Sequence, residues 1–237
     1  MNKDDFKIKI FADGADIDNM IKMYQTGLIS GFTTNPTLMK KAGVKNYRDF
    51  ALKAIEIIPN LPISFEVFSD DFKEMEVEAR KIGSWGKNIY VKIPIINTKG
   101  ESSINLIRKL SSEGLKLNIT AILTIEQVEK TLINLIPGVG AYISVFAGRI
   151  ADTGIDPVPV MQKTAKMCSD ISGVESLWAS SREILNIYQA QACNVDIITV
   201  TDAILEKIPN LGKDLNQLTL ETVKMFYNDA ISLRYKI

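Results

Sequence analysis

The chain has 237 residues, 46% of them hydrophobic, with 28 basic and 28 acidic side chains, so it is long enough for a large core and formally neutral. That balance gives no electrostatic reason to expect nucleic acid or an anionic membrane as a partner, and basic residues sit beside acids, as in Lys73-Glu74-Met75-Glu76, like solvated helix faces. There is no histidine, the commonest general base and zinc ligand, and Cys168 and Cys193 have no nearby Cys or His to form a metal pair or a disulfide framework.

In chain order, eight short apolar runs recur at even spacing: KIKIFAD (7–13), GFTTNP (31–36), ISFEV (63–67), IYVKIP (89–94), LKLNITAI (115–122), AYISVFAG (141–148), ESLWASS (175–181) and DIITVT (196–201). Between them lie amphipathic stretches such as DFKEMEVEARKIGSW and SSINLIRKLSSEG, apolar at helical spacing and charged on the other face. Strand and helix alternate throughout, which predicts a parallel sheet covered by helices. Eight repeats predict a closed (β/α)8 TIM barrel, over an open doubly wound sheet, for which no Gly-x-Gly-x-x-Gly turn follows the first strand. The stretch DLNQLTLETVKMFYNDAISLRYKI adds one or two C-terminal helices, with Leu218, Val223, Phe226 and Leu233 available for burial. The expectation is one domain over 1–237, with the barrel at about 7–210 and a helical tail at about 213–237. No apolar run is long enough to span a bilayer and MNKDDFK lacks the apolar core of a signal peptide, so a cytoplasmic protein is expected.

In a barrel, catalytic groups sit where strands end at the C-terminal face. Polar residues fall at such places here: Asp13, Asn35, Glu66, Lys92, Asn118 with Thr120, Ser144 with Arg149, and Ser180 with Arg182. Asp13 and Asn35 also suit helix N-caps, Asn35 especially, because Pro36 follows it. Ser144, Ser180 and Thr120 suit hydroxyls bonded to backbone, and the two arginines suit the surface. Glu66, between Phe65 and Val67, needs a partner or a proton if its strand is buried. Lys92 is the hardest to explain structurally, since Val91, Ile93 and Pro94 keep its stem inside the barrel mouth. Burial there disfavours the ammonium, and a neutral amine can attack a carbonyl carbon, the first step of a Schiff-base enzyme. The acids then suit the base that takes a hydroxyl proton while a carbon–carbon bond breaks, and paired arginines suit a phosphate.

The segments FADGAD (11–16), GFTTNPTL (31–38), SFEV (64–67), YVKIPI (90–95), LNITAIL (117–123), SVFAGRIADTG (144–154) and WASSRE (178–183) resemble, in order, the motifs of the transaldolase family, which includes the short fructose-6-phosphate aldolases. The resemblance runs from about residue 8 to about residue 205. It implies that Lys92 forms the Schiff base, that Asp13 handles the hydroxyl proton, and that Glu66 and Thr120 hold a catalytic water. It further implies that Asn35, Asn118 and Ser144 hold the dihydroxyacetone portion and that Arg149, Ser180 and Arg182 bind phosphate. No metal or organic cofactor is implied, and the short members are homo-oligomers, so a pentamer or decamer is expected.

Two positions bear on the reaction. The resemblance places glutamate and phenylalanine in transaldolases where the aldolases carry glutamine and tyrosine, and here they are Glu66 and Phe146. Both imply transfer of a dihydroxyacetone unit between sugar phosphates. The alternatives are a fructose-6-phosphate aldolase-like enzyme on a related sugar phosphate and a barrel that binds sugar phosphates without catalysis. Val145, Ala147 and Ser181 depart from the family pattern, toward the acceptor and phosphate end.

Overall fold

The structure is a computed structural model that describes residues 6–234. Most of the opening MNKDDFK and the last three residues of the expected tail lie outside the described residues. Eight strands, β1 (Lys9–Asp13), β2 (Gly31–Thr33), β3 (Ile63–Glu66), β4 (Ile89–Pro94), β5 (Leu117–Ile122), β6 (Ala141–Val145), β7 (Val174–Trp178) and β8 (Ile197–Thr201), pair in sequence. All pairs are parallel, and β8 returns to β1, so the sheet is a closed barrel. This is the (β/α)8 arrangement that the alternation of apolar runs predicts.

Several strands stop short of their apolar runs, each for a local reason. The second run ends as strand at Thr33 because Asn35 turns to cap the helix Pro36–Lys41, with proline in its first turn. The sixth ends at Val145 because Ala147–Ala151 is helical, and the seventh at Trp178, before Ser180 enters the left-handed region at φ 62°.

The helices that cover the sheet start and face inward as their sequences direct. Helix Phe72–Gly83 starts where the Asp71 carboxylate accepts from the backbone N–H groups of Lys73 and Glu74, and it buries Met75, Ala79 and Ile82. Helix Ile125–Leu132 opens on a reciprocal Thr124/Gln127 capping box and buries Val128 and Leu132. Burying one apolar stripe of each helix against the strands supplies most of the stabilisation, at about 25 cal/mol per Å² of apolar surface.

Inside the barrel, Phe11, Tyr142, Leu177, Ala179 and Ile197 form one buried cluster. Tyr90 stacks on Tyr142 with ring centroids 3.9 Å apart and planes 11° apart. Gly31 makes room for this packing, since a Cβ there would lie 2.5 Å from the Phe11 ring.

The chain divides into two compact units, Met1–Leu205 and Glu206–Ile237. The second contains a short 3-10 turn, Ile208–Asn210, and one 19-residue helix, Leu215–Leu233, capped by Asp214. Leu218, Val223, Phe226 and Leu233, expected to be available for burial, are all exposed. No helix among the described residues is long and apolar enough to cross a membrane.

Candidate active site

Residues registered across parallel strands point to the same side of the sheet. Glu66 of β3 is registered with Lys92 of β4, and Lys92 with Asn118 of β5, so all three face the interior. Lys92 is only 7% exposed. Its Nζ lies 3.0 Å from Glu66 Oε2 and donates to the carbonyl of Thr34 at 3.1 Å. Val91 and Ile93, on the other face of β4, are fully buried under helices, so the stem of Lys92 runs up the inside of the barrel.

This amine opens on a cavity of about 470 Å³ at the C-terminal mouth. Asp13, Asn35, Glu66, Lys92, Thr120, Ser144, Phe146, Arg149 and Ser180 all line it, so nine of the sequence-derived candidates meet in one place. Asn118 and Arg182 are not on its wall. Nor are Val145, Ala147 and Ser181, the positions that depart from the family pattern.

Asp13 does not cap a helix; that part falls to Asp16, which accepts from the Asn19 N–H at 2.8 Å. The Asp13 carboxylate instead accepts from Thr33 Oγ1 at 2.8 Å. Burial raises its pKa above the ordinary carboxylate range, and Glu66 and Asp202 push the same way, while the Lys92 ammonium and the Thr33 hydroxyl oppose them. Asn35 does cap its helix, accepting from Leu38 N–H at 2.9 Å through Oδ1, which leaves its amide group for the cavity it lines.

Thr120 follows Asn118 by two residues in β5 and is registered with Pro94, so alternation turns it to the interior as well, and the irregularity comes just after it. The β5–β6 register shifts between Ile119 and Ile122, and Ala121 takes φ 59°, a conformation costly for a residue with a Cβ. Thr120 Oγ1 is buried and finds no hydrogen-bond partner among the described residues, although it lines the cavity with Glu66. Asn118 lies deeper, donating to Ser64 Oγ at 2.9 Å and accepting from Ser144 Oγ at 2.6 Å. It thereby fixes the hydroxyl of Ser144, which does reach the wall.

The two arginines part company. Arg149 projects from helix Ala147–Ala151 over the Phe146 ring, 5.7 Å from its centroid, and forms no ion pair among the described residues. Arg182 is clamped outside the wall: Nε and Nη2 donate to Asp152, and Nη1 donates to the carbonyl and hydroxyl of Ser180 at 2.8 and 3.0 Å. Those bonds hold the Asp152 carboxyl below its usual range. Gly148 packs so close to this loop that a Cβ would lie 1.6 Å from the Ser180 carbonyl oxygen.

Thr33, Thr199, Ser64 and Asp152 enter the site or its support without having been singled out in the sequence. Thr199 and Thr201 alternate with Val200 in the eighth run, so a period-two reading points at least Thr199 inward. Asp152 gave no such signal. No group of three or more His, Cys, Asp or Glu side chains among the described residues could hold a metal ion.

The sequence profile of the family described as "Transaldolase/Fructose-6-phosphate aldolase" matches residues 10–237. The chain belongs to this transaldolase/aldolase family. A protein named "Probable transaldolase" from Thermoanaerobacter sp. (strain X514) is 36% identical over 202 residues, covering 84% of this chain and 88% of its own. One of the same name from Streptococcus equi subsp. zooepidemicus (strain MGCS10565) is 33% identical over 232 residues, covering 96% of this chain and 100% of its own. Among solved structures, the 3-keto-L-gulonate-6-phosphate decarboxylase of Vibrio cholerae superposes with a TM-score of 0.55 at 13% identity, over 83% of this chain and 88% of that one. At that identity the likeness concerns the barrel fold alone. The transaldolase/aldolase match also extends past residue 205, where the motif resemblance stops, through the C-terminal helix.

Proposed function

We propose that the protein is a transaldolase, moving a dihydroxyacetone unit from a ketose phosphate such as fructose 6-phosphate to an aldose phosphate through a Schiff base on Lys92. The observation that carries this reading is the buried Lys92 amine with a carboxylate at 3.0 Å, opening on the same cavity as Asp13 and the unpartnered Thr120 hydroxyl.

In this reading Glu66 receives the proton that Nζ sheds, and the amine attacks the ketone carbon. Loss of water leaves an iminium. Asp13 then removes the proton of the hydroxyl borne by the far carbon of the bond to be broken, that oxygen becomes the carbonyl of the departing aldose as the carbon–carbon bond cleaves, and the bond's electron pair moves into the iminium to give an enamine. The first aldose departs. The enamine attacks the acceptor aldehyde, whose oxygen takes the proton from Asp13, and water releases the ketose product. Glu66 and Thr120 together hold the water that moves protons at the imine carbon. Asn35 and Ser144, the latter set by Asn118, hold the hydroxyls of the three-carbon unit. Arg149 and Ser180 take the phosphate, and Arg182 contributes by fixing Ser180.

Glu66 and Phe146 favour transfer over release, since phenylalanine offers the enamine no proton. Borohydride reduction with fructose 6-phosphate is expected to fix the three-carbon dihydroxyacetone unit, left after the first aldose departs, on Lys92, and turnover is expected to need an aldose phosphate acceptor. Steady release of dihydroxyacetone without acceptor assigns the aldolase alternative. Binding of sugar phosphate with neither trapping nor turnover assigns the non-catalytic one. We read the protein as a cytoplasmic homo-oligomer, which light scattering of the purified chain tests.

A further inference from the structure

Two hydroxyls behind Asp13 have no part in the steps above. Thr33 Oγ1 donates to Asp13 Oδ1 at 2.8 Å, and the same oxygen lies 2.5 Å from Thr199 Oγ1. Both threonines are buried, at 3% and 5% exposure, at the floor of the cavity that Asp13 also lines. A hydroxyl has one proton to give. With the Thr33 proton committed to Asp13, the contact with Thr199 runs the other way, and Thr199 is its donor. Donation therefore passes in one direction through three strands, from β8 to β2 to β1.

We propose that Thr199 is a positioning residue for Asp13: by donating to Thr33 it locks the Thr33 hydroxyl onto Oδ1 and leaves Oδ2 to meet the substrate hydroxyl. This rests on the reading of Asp13 as the base. The charged groups around Asp13 explain why such a lock matters. Glu66 from β3 and Asp202 from the turn of helix after β8 oppose its negative charge, as does burial; only the Lys92 ammonium from β4 and the Thr33 hydroxyl from β2 favour it. A donor that is itself hydrogen-bonded is polarised and stronger. Without Thr199, Thr33 loses the bond that fixes its rotor, and Asp13 keeps its proton to higher pH.

The test compares Thr199→Val with Thr199→Ser. The valine variant is expected to transfer from fructose 6-phosphate about fivefold to tenfold more slowly, the loss of one buried hydrogen bond. Its KM is expected to stay close to that of the unmodified protein, borohydride trapping at Lys92 to persist, and the acid limb of kcat/KM to move to higher pH. Serine restores rate and limb. Thr33→Val moves the limb the same way, and adding Thr199→Val to it costs nothing more, because Thr199 acts through Thr33. If the valine variant does not fold, Thr199→Ala carries the same comparison. An unmoved acid limb, a serine variant as slow as valine, or multiplying losses in the double variant overturns the proposal. Asp13→Asn separates the two ideas: if it cleaves at the unmodified rate, the base reading falls; if it is inactive while Thr199→Val is unaltered, the Thr199 role alone falls.

Discussion

Lys92 and Glu66 are registered neighbours on adjacent parallel strands, and their side chains meet 3.0 Å apart inside the barrel mouth. The amine is therefore held in place before any substrate arrives, next to a group able to accept its proton. Pairing on the fixed lattice of the sheet costs little side-chain entropy compared with an ion pair on mobile surface side chains.

Replacing Lys92 by Met keeps most of the stem volume and removes the nucleophile. Borohydride trapping is expected to vanish, and turnover to fall by a factor of about 10⁴ or more. Glu66 then lacks its partner, so stability drops by about 1–3 kcal/mol, which urea denaturation measures. Trapping on another lysine at the unmodified rate would sink the assignment.

For Asp13→Asn the expected loss is about 10²–10⁴ in carbon–carbon cleavage, with imine trapping retained. In the unmodified protein, activity is expected to fall as pH drops through the raised Asp13 pKa, above the range of an ordinary carboxylate. The stability sign follows from the same shift. An acid whose folded pKa is raised loses stability as pH rises from its unfolded pKa through its folded one. The asparagine variant is thus expected to melt higher than the unmodified protein at neutral pH, and the difference to shrink as pH is lowered.

Arg149 and Arg182 are expected to differ. Loss of the unpaired guanidinium in Arg149→Ala raises KM for fructose 6-phosphate about tenfold or more and leaves KM for unphosphorylated fructose nearly unchanged. Arg182→Ala frees Ser180 and Asp152, so its smaller rise in KM is accompanied by a lower melting temperature. Equal, phosphate-specific KM effects from both would contradict the geometry.

Gly148→Ala sets a Cβ 1.6 Å from the Ser180 carbonyl oxygen, a backbone atom with no rotamer to relieve the clash. A destabilisation of about 3 kcal/mol or more is expected, seen as a large fall in the denaturation midpoint. A variant that melts with the unmodified protein would show that the helix and the Ser180 loop are not packed as described.

The barrel was legible because strands buried on both faces read as continuous apolar runs, and eight such runs leave few other closures. Lys92 and Glu66 stood out for the same reason, being charges inside those runs. Thr33 and Thr199 did not, since a threonine in a strand is ordinary until its hydroxyl has a direction. Thr120 was within reach of the same alternation, two residues after Asn118, whereas the shift in the β5–β6 register and the backbone angle of Ala121 do not follow from residue type. Arg182 resembles an anion ligand in sequence; the carboxylate that occupies it lies thirty residues earlier and comes near only through the fold.

The stacked rings of Tyr90 and Tyr142, with Phe11, Leu177 and Ile197, do more than stabilise the sheet. They fill the barrel interior beneath the cavity, whose wall Leu177 reaches, and the cavity opens at the C-terminal mouth. In the proposed reading the leaving and the incoming aldose share that mouth and take turns there, so double-displacement kinetics with parallel reciprocal plots are expected.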